Sequence, residues 1–394
     1  MRTYSLLFIL GTMMIVQHVI ADSEQSRSSI PGDVFFRMFA DKTEADLRLD
    51  TIKKMESFSV RYPKTQLARD AKRYISVDPL RSDPHLWITD TLGFIRKGLN
   101  LNTPKDANWA IRRELLLMLD NPLHVETGDE YHAALSRFYR SFLDRVVEDI
   151  CDTEVVQGAR IWHIYNMGFV VKTSKHTIAF DIYTREANLD YGWMTFLTEK
   201  QTKDLAALVD VAFVSHWHGD HANEEFLSAM SDAGKQVYVP LDPDNYNKTR
   251  KGIIPIRTTR KGSPISVDGM RISCYPGFQG DIRCNVYVVD VDGLTISHNG
   301  DNCTHEIYKD IAANHSVDVA LSNCWSGTNE YVAALNPKMY ITGHENELLH
   351  DIIHRIAYLN TFGNIDRLGL TYPWKKDDPK PVILSCGESV LWDQ

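Results

Sequence analysis

An α/β domain preceded by an all-α N-terminal domain is the fold class this chain predicts, and three observations predict it. Apolar residues recur every three or four positions up to about Cys151. Short β-branched runs interleaved with helices follow. Those runs end in loops rich in His and Asp. The 394 residues exceed one ordinary domain and suit two. With 43% hydrophobic and 10% aromatic residues the chain has ample material for a large core, which excludes disorder as its general state. A formal net charge of −9 argues against a nucleic-acid or anionic-membrane binder, since those need clustered Lys and Arg. Six cysteines in so long a chain are not a disulfide scaffold.

Residues 1–21 read as a secretory signal. Arg2 is followed by the apolar run Leu6 to Val16, and Val19-Ile20-Ala21 offers a cleavage site ahead of the polar stretch from Asp22. The apolar run is shorter than a membrane span needs, and Gln17-His18 interrupt it. The expectation is a mature protein outside the cytoplasm, periplasmic or secreted, with no stable transmembrane segment once the signal is cleaved. Disulfides are permitted there, and Cys274 and Cys284, flanking a hairpin tip, are candidates to pair. Triplets beginning at Asn247, Asn302 and Asn314 match the glycosylation acceptor.

Residues 22–155 read as the helical domain. Met55 to Ile75 is read as a helix pair, and Trp109, Leu116 and Leu119 mark a helix ending near Asn121-Pro122. Tyr131, Leu135, Phe138, Phe142, Val146 and Ile150 paint one apolar stripe, with Thr127 and Glu130 as a capping-box pair ahead of it. This half is read as a structural cap rather than a lid. Residues 156–394 form the second domain. Strands are expected within Ile161–Val171 and Thr177–Tyr183, over Val237–Val239, Ile272–Cys274, Val286–Val291 and Leu294–Ser297, and a helix over Leu205–Leu208. Asp292-Gly293 between the last two strands signals a tight hairpin.

The apolar run Val209 to Ser215 leads directly into His216-Trp217-His218-Gly219-Asp220-His221. Three imidazoles and a carboxylate at this spacing are a metal-ligand pattern. His216 and His218, two apart, can share one metal, while Asp220 and His221 can face a second. His350 and His354 are four apart, but Asp351 stands where a metalloprotease needs Glu, so they read as a helix face. Cys303, near Asp301, reads as a buried thiol or disulfide partner, with a soft metal ligand as the alternative, and His163 and Trp193 as candidates for a pocket wall.

The motif and its setting resemble the metallo-β-lactamase fold superfamily, a four-layer αββα sandwich whose site lies along one edge of its two sheets. The resemblance runs from about Val156 to the C-terminus. Its nearest subgroup includes L-ascorbate phosphate lactonase and N-acyl-phosphatidylethanolamine phospholipase D. It implies that Asp181 in TIAFDIY orients His216 or His218, that Asp301 in ISHNGDN bridges two metals, and that His344 in MYITGHE completes the second metal's set. His298, beside the Gly-Asp pair, is either a donor to a ligand carboxylate or a plain strand-end histidine. The family's third motif places a His after a Pro-small-aromatic string. Here Tyr275-Pro276-Gly277-Phe278 is followed by Gln279, with Asp281 two further on, and no histidine lies between His221 and His298. Gln is a weak ligand for zinc, so the first site binds weakly, borrows Asp281 or stays empty.

The resemblance thus implies one or two divalent metal ions, zinc foremost and manganese or iron as alternatives. It also implies hydrolysis of a small ester-like substrate by metal-activated hydroxide, with Asp220 catalytic. A lactone or a phosphodiester is the favoured substrate. The competing readings are a catalytically impaired relative that binds a ligand or partner, and a true β-lactamase.

Overall fold

The structure, a computed structural model, describes residues 39, 42–78, 84–125, 129–188, 192–241, 250–348 and 355–393. The signal segment, Thr127 of the capping pair, Asn247, and His350 with His354 lie outside these residues, as does the Trp193 side chain.

The first half is helical: α1 (Glu44–Arg61), α2 (Gln66–Val77), α3 (Pro84–Leu101), α4 (Trp109–Leu123), α5 (Asp129–Leu143) and α6 (Val146–Asp152). Thr43 caps α1 in a reciprocal box with Asp46, and Thr65 caps α2, so each helix of the expected pair begins where a hydroxyl can take an orphan N–H. Tyr131, Leu135, Phe138, Val146 and Ile150 are buried, as their spacing requires.

Strands begin at β1 (Ala159–His163), followed by β2 (Phe169–Lys172), β3 (Thr177–Phe180), the small hairpin β4 (Arg185–Asn188) and β5 (Gly192–Thr195), α7 (Glu199–Leu208), β6 (Val211–Phe213), α8 (Glu224–Asp232), β7 (Gln236–Pro240) and β8 (Ile253–Ile256). Then come β9 (Ser263–Val267), β10 (Met270–Gln279), β11 (Ile282–Val291), β12 (Leu294–His298), α9 (Ile307–Asn314), β13 (Val319–Asn323), α10 (Thr328–Leu335), β14 (Met339–Gly343), α11 (Tyr358–Arg367), β15 (Lys380–Val382) and β16 (Ser389–Trp392). Two seven-stranded sheets result, ordered β16-β1-β2-β3-β6-β7-β8 and β15-β14-β13-β12-β11-β10-β9. Each is antiparallel at one end and parallel at the other.

Alternation along the strands explains the layering. Ile161, Phe169, Ile178 and Phe213 of the first sheet meet Ile272, Tyr287, Val289, Ile296 and Leu321 of the second in one core. Their neighbours Trp162, Val170, Ala179 and Ala212 face outward into a second cluster. That cluster also takes in Leu205 of α7, Phe226 of α8, Tyr308 of α9, Tyr331 of α10, Phe362 of α11 and the apolar stripes of the N-terminal helices. This is a four-layer αββα sandwich preceded by helices, the architecture the sequence predicts.

Strand β10 outruns its expected three residues because Pro276, which cannot donate to a ladder, lies beyond the stretch paired with β9. The disulfide expectation is not met. All six cysteines are free. Cys274 lies opposite Tyr287 while Cys284 lies opposite Gly277, so the register puts the two thiols on opposite faces of the sheet. Asn302 is also no glycan acceptor in the folded chain. It is fully buried, accepting from the N–H groups of Phe278 and Thr304.

Candidate metal centre

Five chain segments reach one edge of the sandwich, each at the C-terminal end of a strand, where backbone turns outward and side chains can converge. Asp181 follows β3, His216 to His221 follow β6, Gln279 ends β10, Asp301 follows β12, and His344 follows β14. The Gly-Asp pair needs its glycine for a steric reason. Gly300 has φ +49°, and a Cβ there would overlap Ser215.

Two ligand groups emerge, and they overlap. His216, His221 and Asp301 each bring one nitrogen or oxygen within 4.8 Å of the others, and so do Asp220, His221 and His344. His221 belongs to both. The sequence expects His216 and His218 to share one metal. His218 Nδ1 lies 2.9 Å from His216 Nε2 but joins neither group, while His221 sits beside His216 with ring centroids 4.0 Å apart.

Behind these atoms His221 and His216 are hydrogen-bonded, and His344 meets a carboxylate at ion-pair range. Asp181 Oδ2 accepts from His221 Nδ1 at 2.8 Å, Ser215 Oγ meets His216 Nδ1 at 3.0 Å, and Glu347 Oε2 lies 3.1 Å from His344 Nδ1. All three rings therefore turn Nε2 toward the site, the arrangement by which second partners make imidazoles serve as ligands. His221 Nε2 is 2.9 Å from Asp220 Oδ2 and 3.4 Å from Asp301 Oδ2, and His344 Nε2 is 3.2 Å from Asp301 Oδ2.

Three sequence-level assignments change. Asp181 grips His221 directly and reaches His216 only through the Ser215 hydroxyl, which donates to Asp181 Oδ2 at 2.6 Å; it makes no contact with His218. His298 gives Nε2 to the Met167 carbonyl at 3.2 Å and stacks on Phe180, so it supports no ligand carboxylate at hydrogen-bond range. Its nearest carboxylate is Asp181, at 3.7 Å. His163 is buried and gives Nε2 to the Asn166 carbonyl at 2.8 Å, which makes it a core residue rather than a pocket wall.

Gln279 does reach the site. Its amide Nε2 donates to Asp301 Oδ2 at 3.1 Å. Asp281 does not: it is exposed at the hairpin tip. Cys303 keeps its proton, since burial pushes the thiol up to about 11.

Sequence reasoning passed over Glu347 and the Asn166 side chain. Asn166, at φ +53°, donates Nδ2 to Asp220 Oδ2 at 2.7 Å while its carbonyl accepts from the His344 N–H at 3.1 Å. For Glu347, its spacing of three from His344 is the one local signal.

The electrostatics fit a cation. Burial drives His216 well below the ordinary imidazole value and lowers His218, so both are neutral. Against the same burial, Asp220, Asp301 and Asp181 hold His221 well above that value, and Asp301 and Glu347 lift His344 to about 9. Burial also opposes the ionised carboxyls of Asp220 and Asp301, yet His221 and His344 keep both far below the usual range. Asp301 Oδ1, Gln279 Oε1 and Asn166 Oδ1 are buried acceptors with no hydrogen-bond partner among the described residues. Unpaired acceptor oxygens beside N/O ligand groups are what a divalent ion satisfies, so the residues present fit a metal.

No protein-family model matches the chain, and no curated protein matches it. Among solved structures, it is similar to a metallo hydrolase from Ignicoccus hospitalis, with 18% identity over 60% of this chain and 99% of that one at a TM-score of 0.44. It is also similar to a possible metal-dependent hydrolase from Veillonella parvula, with 14% identity over 60% of this chain and 100% of that one at a TM-score of 0.47. A metallo-β-lactamase fold protein from Bacillus subtilis is 11% identical over 59% of this chain and 99% of that one, at a TM-score of 0.43.

Proposed function

We infer that this chain is a metal-dependent hydrolase of an ester-like bond in a small molecule, with a lactone or phosphodiester as the substrate class. The observation that carries the reading is the pair of three-ligand groups sharing His221, with His221 hydrogen-bonded from behind by Asp181 and His216 by Ser215. His216, His218, His221, Asp220, Asp301 and His344 would hold one or two divalent ions, zinc foremost and manganese or iron as alternatives. Gln279 would stand at the remaining position. A bound ion supplies Lewis-acid polarisation of a carbonyl or phosphoryl oxygen and lets water attack at neutral pH.

The chain's own residues do the rest. Asp220 keeps an unprotonated carboxylate whose side chain is 13% exposed against 3% for Asp301, so of the two it is the one placed to accept a hydrogen bond from attacking water. Asn166 holds that carboxylate in place. Residues 1–21 would be an export signal, so the mature protein would start at Asp22 and work outside the cytoplasm. The sequence's resemblance to the subgroup of lactonases and phospholipase D-type enzymes supports this choice of substrate class.

Purified protein should carry divalent metal and hydrolyse a member of a panel of lactones, phosphodiesters and a chromogenic β-lactam. Chelation or His344→Ala should abolish turnover. The amide at position 279 favours one alternative, a metal-binding protein without hydrolytic activity. Stoichiometric metal with no turnover under any divalent ion would select that reading, and absence of metal binding would overturn both.

A further inference from the structure

The loop that carries His344 is held from the other half of the molecule. His344 at φ +77° and Asn346 at φ +54° both occupy the left-handed region, which L side chains leave unless the surroundings fix them. The fixing group for Asn346 is Asp120, on α4 of the helical half. Asp120 is fully buried and accepts three hydrogen bonds. Asn346 Nδ2 donates to Oδ1 at 3.1 Å, Tyr358 N to Oδ1 at 2.8 Å, and Leu359 N to Oδ2 at 3.0 Å.

The last two bonds have a specific cause. Helix α11 starts at Tyr358 behind Ala357, which has no side-chain acceptor for the helix's first N–H groups. Asp120 supplies that cap from more than two hundred residues away, with its charge at the favourable end of the helix. The capped helix then turns Thr361 Oγ1 onto Glu345 Oε1 at 2.8 Å. Both residues that follow His344 are therefore tied, directly or through α11, to one carboxylate of the helical half. His216, Asp301 and Gln279 make no hydrogen bond or ion pair to that half among the described residues.

We propose that Asp120 is a positioning residue for the metal centre: it sets His344 through Asn346 and α11, which makes the helical half a working part of the site rather than a cap laid over it. The proposal rests on the metal-centre reading above.

The test is a double-mutant cycle read by zinc affinity in a chelator competition. Asp120→Asn keeps the shape but turns an amide N–H toward groups that only donate. It should weaken zinc binding by tenfold or more in the wild-type background and by less than twofold in a His344→Ala background. A merely structural loss would weaken both backgrounds alike, and that equal loss, or no loss in either, overturns the proposal. Asn346→Gly, which retains the left-handed backbone, should give the same non-additive pattern even if Asp120→Asn does not fold. If the wild-type protein takes up neither zinc, manganese nor iron, the metal-centre reading has failed instead.

Discussion

Gln279 is the residue at which this site departs from a three-imidazole set. Its amide nitrogen is already spent on Asp301, and its oxygen is buried without a partner among the described residues. A neutral amide oxygen binds zinc more weakly than imidazole does. Gln279→His should therefore raise zinc affinity about tenfold or more, roughly 1.4 kcal/mol, in a chelator competition. Unchanged affinity would mean that another group already fills the position. Residues of this kind were legible because they cluster in sequence or end apolar runs: the HxHxDH string, Asp301 after its glycine, and His344 after β14. What escaped were the partners behind them. Ser215 relays between Asp181 and His216, and Asn166 joins Asp220 to the His344 backbone. Their sequence neighbours say nothing about this, because each contact crosses from one strand end to another. Which imidazole Asp181 touches directly is illegible for the same reason. Both His216 and His221 lie within reach of its loop, and only the turn at His218–Ala222 decides which ring faces it.

At the scale of elements, the end of the sandwich opposite the site has its own clasp. The Asp292-Gly293 turn has φ of +48° and +85°, the paired positive values that this dipeptide favours in a tight hairpin. Its carboxylate accepts from Thr173 Oγ1 at 2.5 Å and from His176 Nδ1 at 2.9 Å, tying the β2–β3 turn of one sheet to the β11–β12 turn of the other. His176 Nε2 reaches the Asp268 carbonyl at 2.8 Å, so both ring nitrogens donate only when the ring is protonated. Burial pulls the imidazole down, but the Asp292 bond and charge prevail and raise it above its ordinary value. A raised folded value means the clasp is fully worth its energy below the unfolded value near 6.5, and loses it as pH rises through the folded value. Urea unfolding should show His176→Gln costing about 0.5–1 kcal/mol at pH 5.5 and clearly less at pH 8.5, the scale of a part-exposed ion pair. An equal cost at both values would remove the ion pair from the account. Turn chemistry made this hairpin readable in advance. Strand β10 was read short because Pro276-Gly277 looks like a break. Only the folded chain shows that Gly277 is needed, since a Cβ there would overlap the Asn302 side chain and the carbonyl of its ladder partner Cys284.

Across the whole molecule, the two halves share one apolar cluster and are joined by buried polar contacts. The sequence shows where helical periodicity stops, but these contacts link residues hundreds of positions apart and leave no local pattern. The clearest is Arg112 of α4. Its guanidinium binds Glu388 through Nη1 at 2.8 Å and Nη2 at 2.5 Å, and donates as well to the carbonyls of Asn102 and Ile383. The two side chains are only 4% and 9% exposed. Removing one partner of such a pair leaves a charge stranded in low dielectric, whereas replacing both is far less costly. Arg112→Met should thus destabilise the protein by about 3–5 kcal/mol, and adding Glu388→Gln should recover a substantial part, because the amide oxygen still accepts from Ser385 N. If the halves form one cooperative unit, far-UV circular dichroism, weighted toward the helices, and tryptophan fluorescence should lose signal at the same urea concentration. The midpoint should shift together for both probes in Arg112→Met. Separate transitions, with only the helical signal moved by the substitution, would show that the helical half folds on its own and that this buried pair staples two independent units.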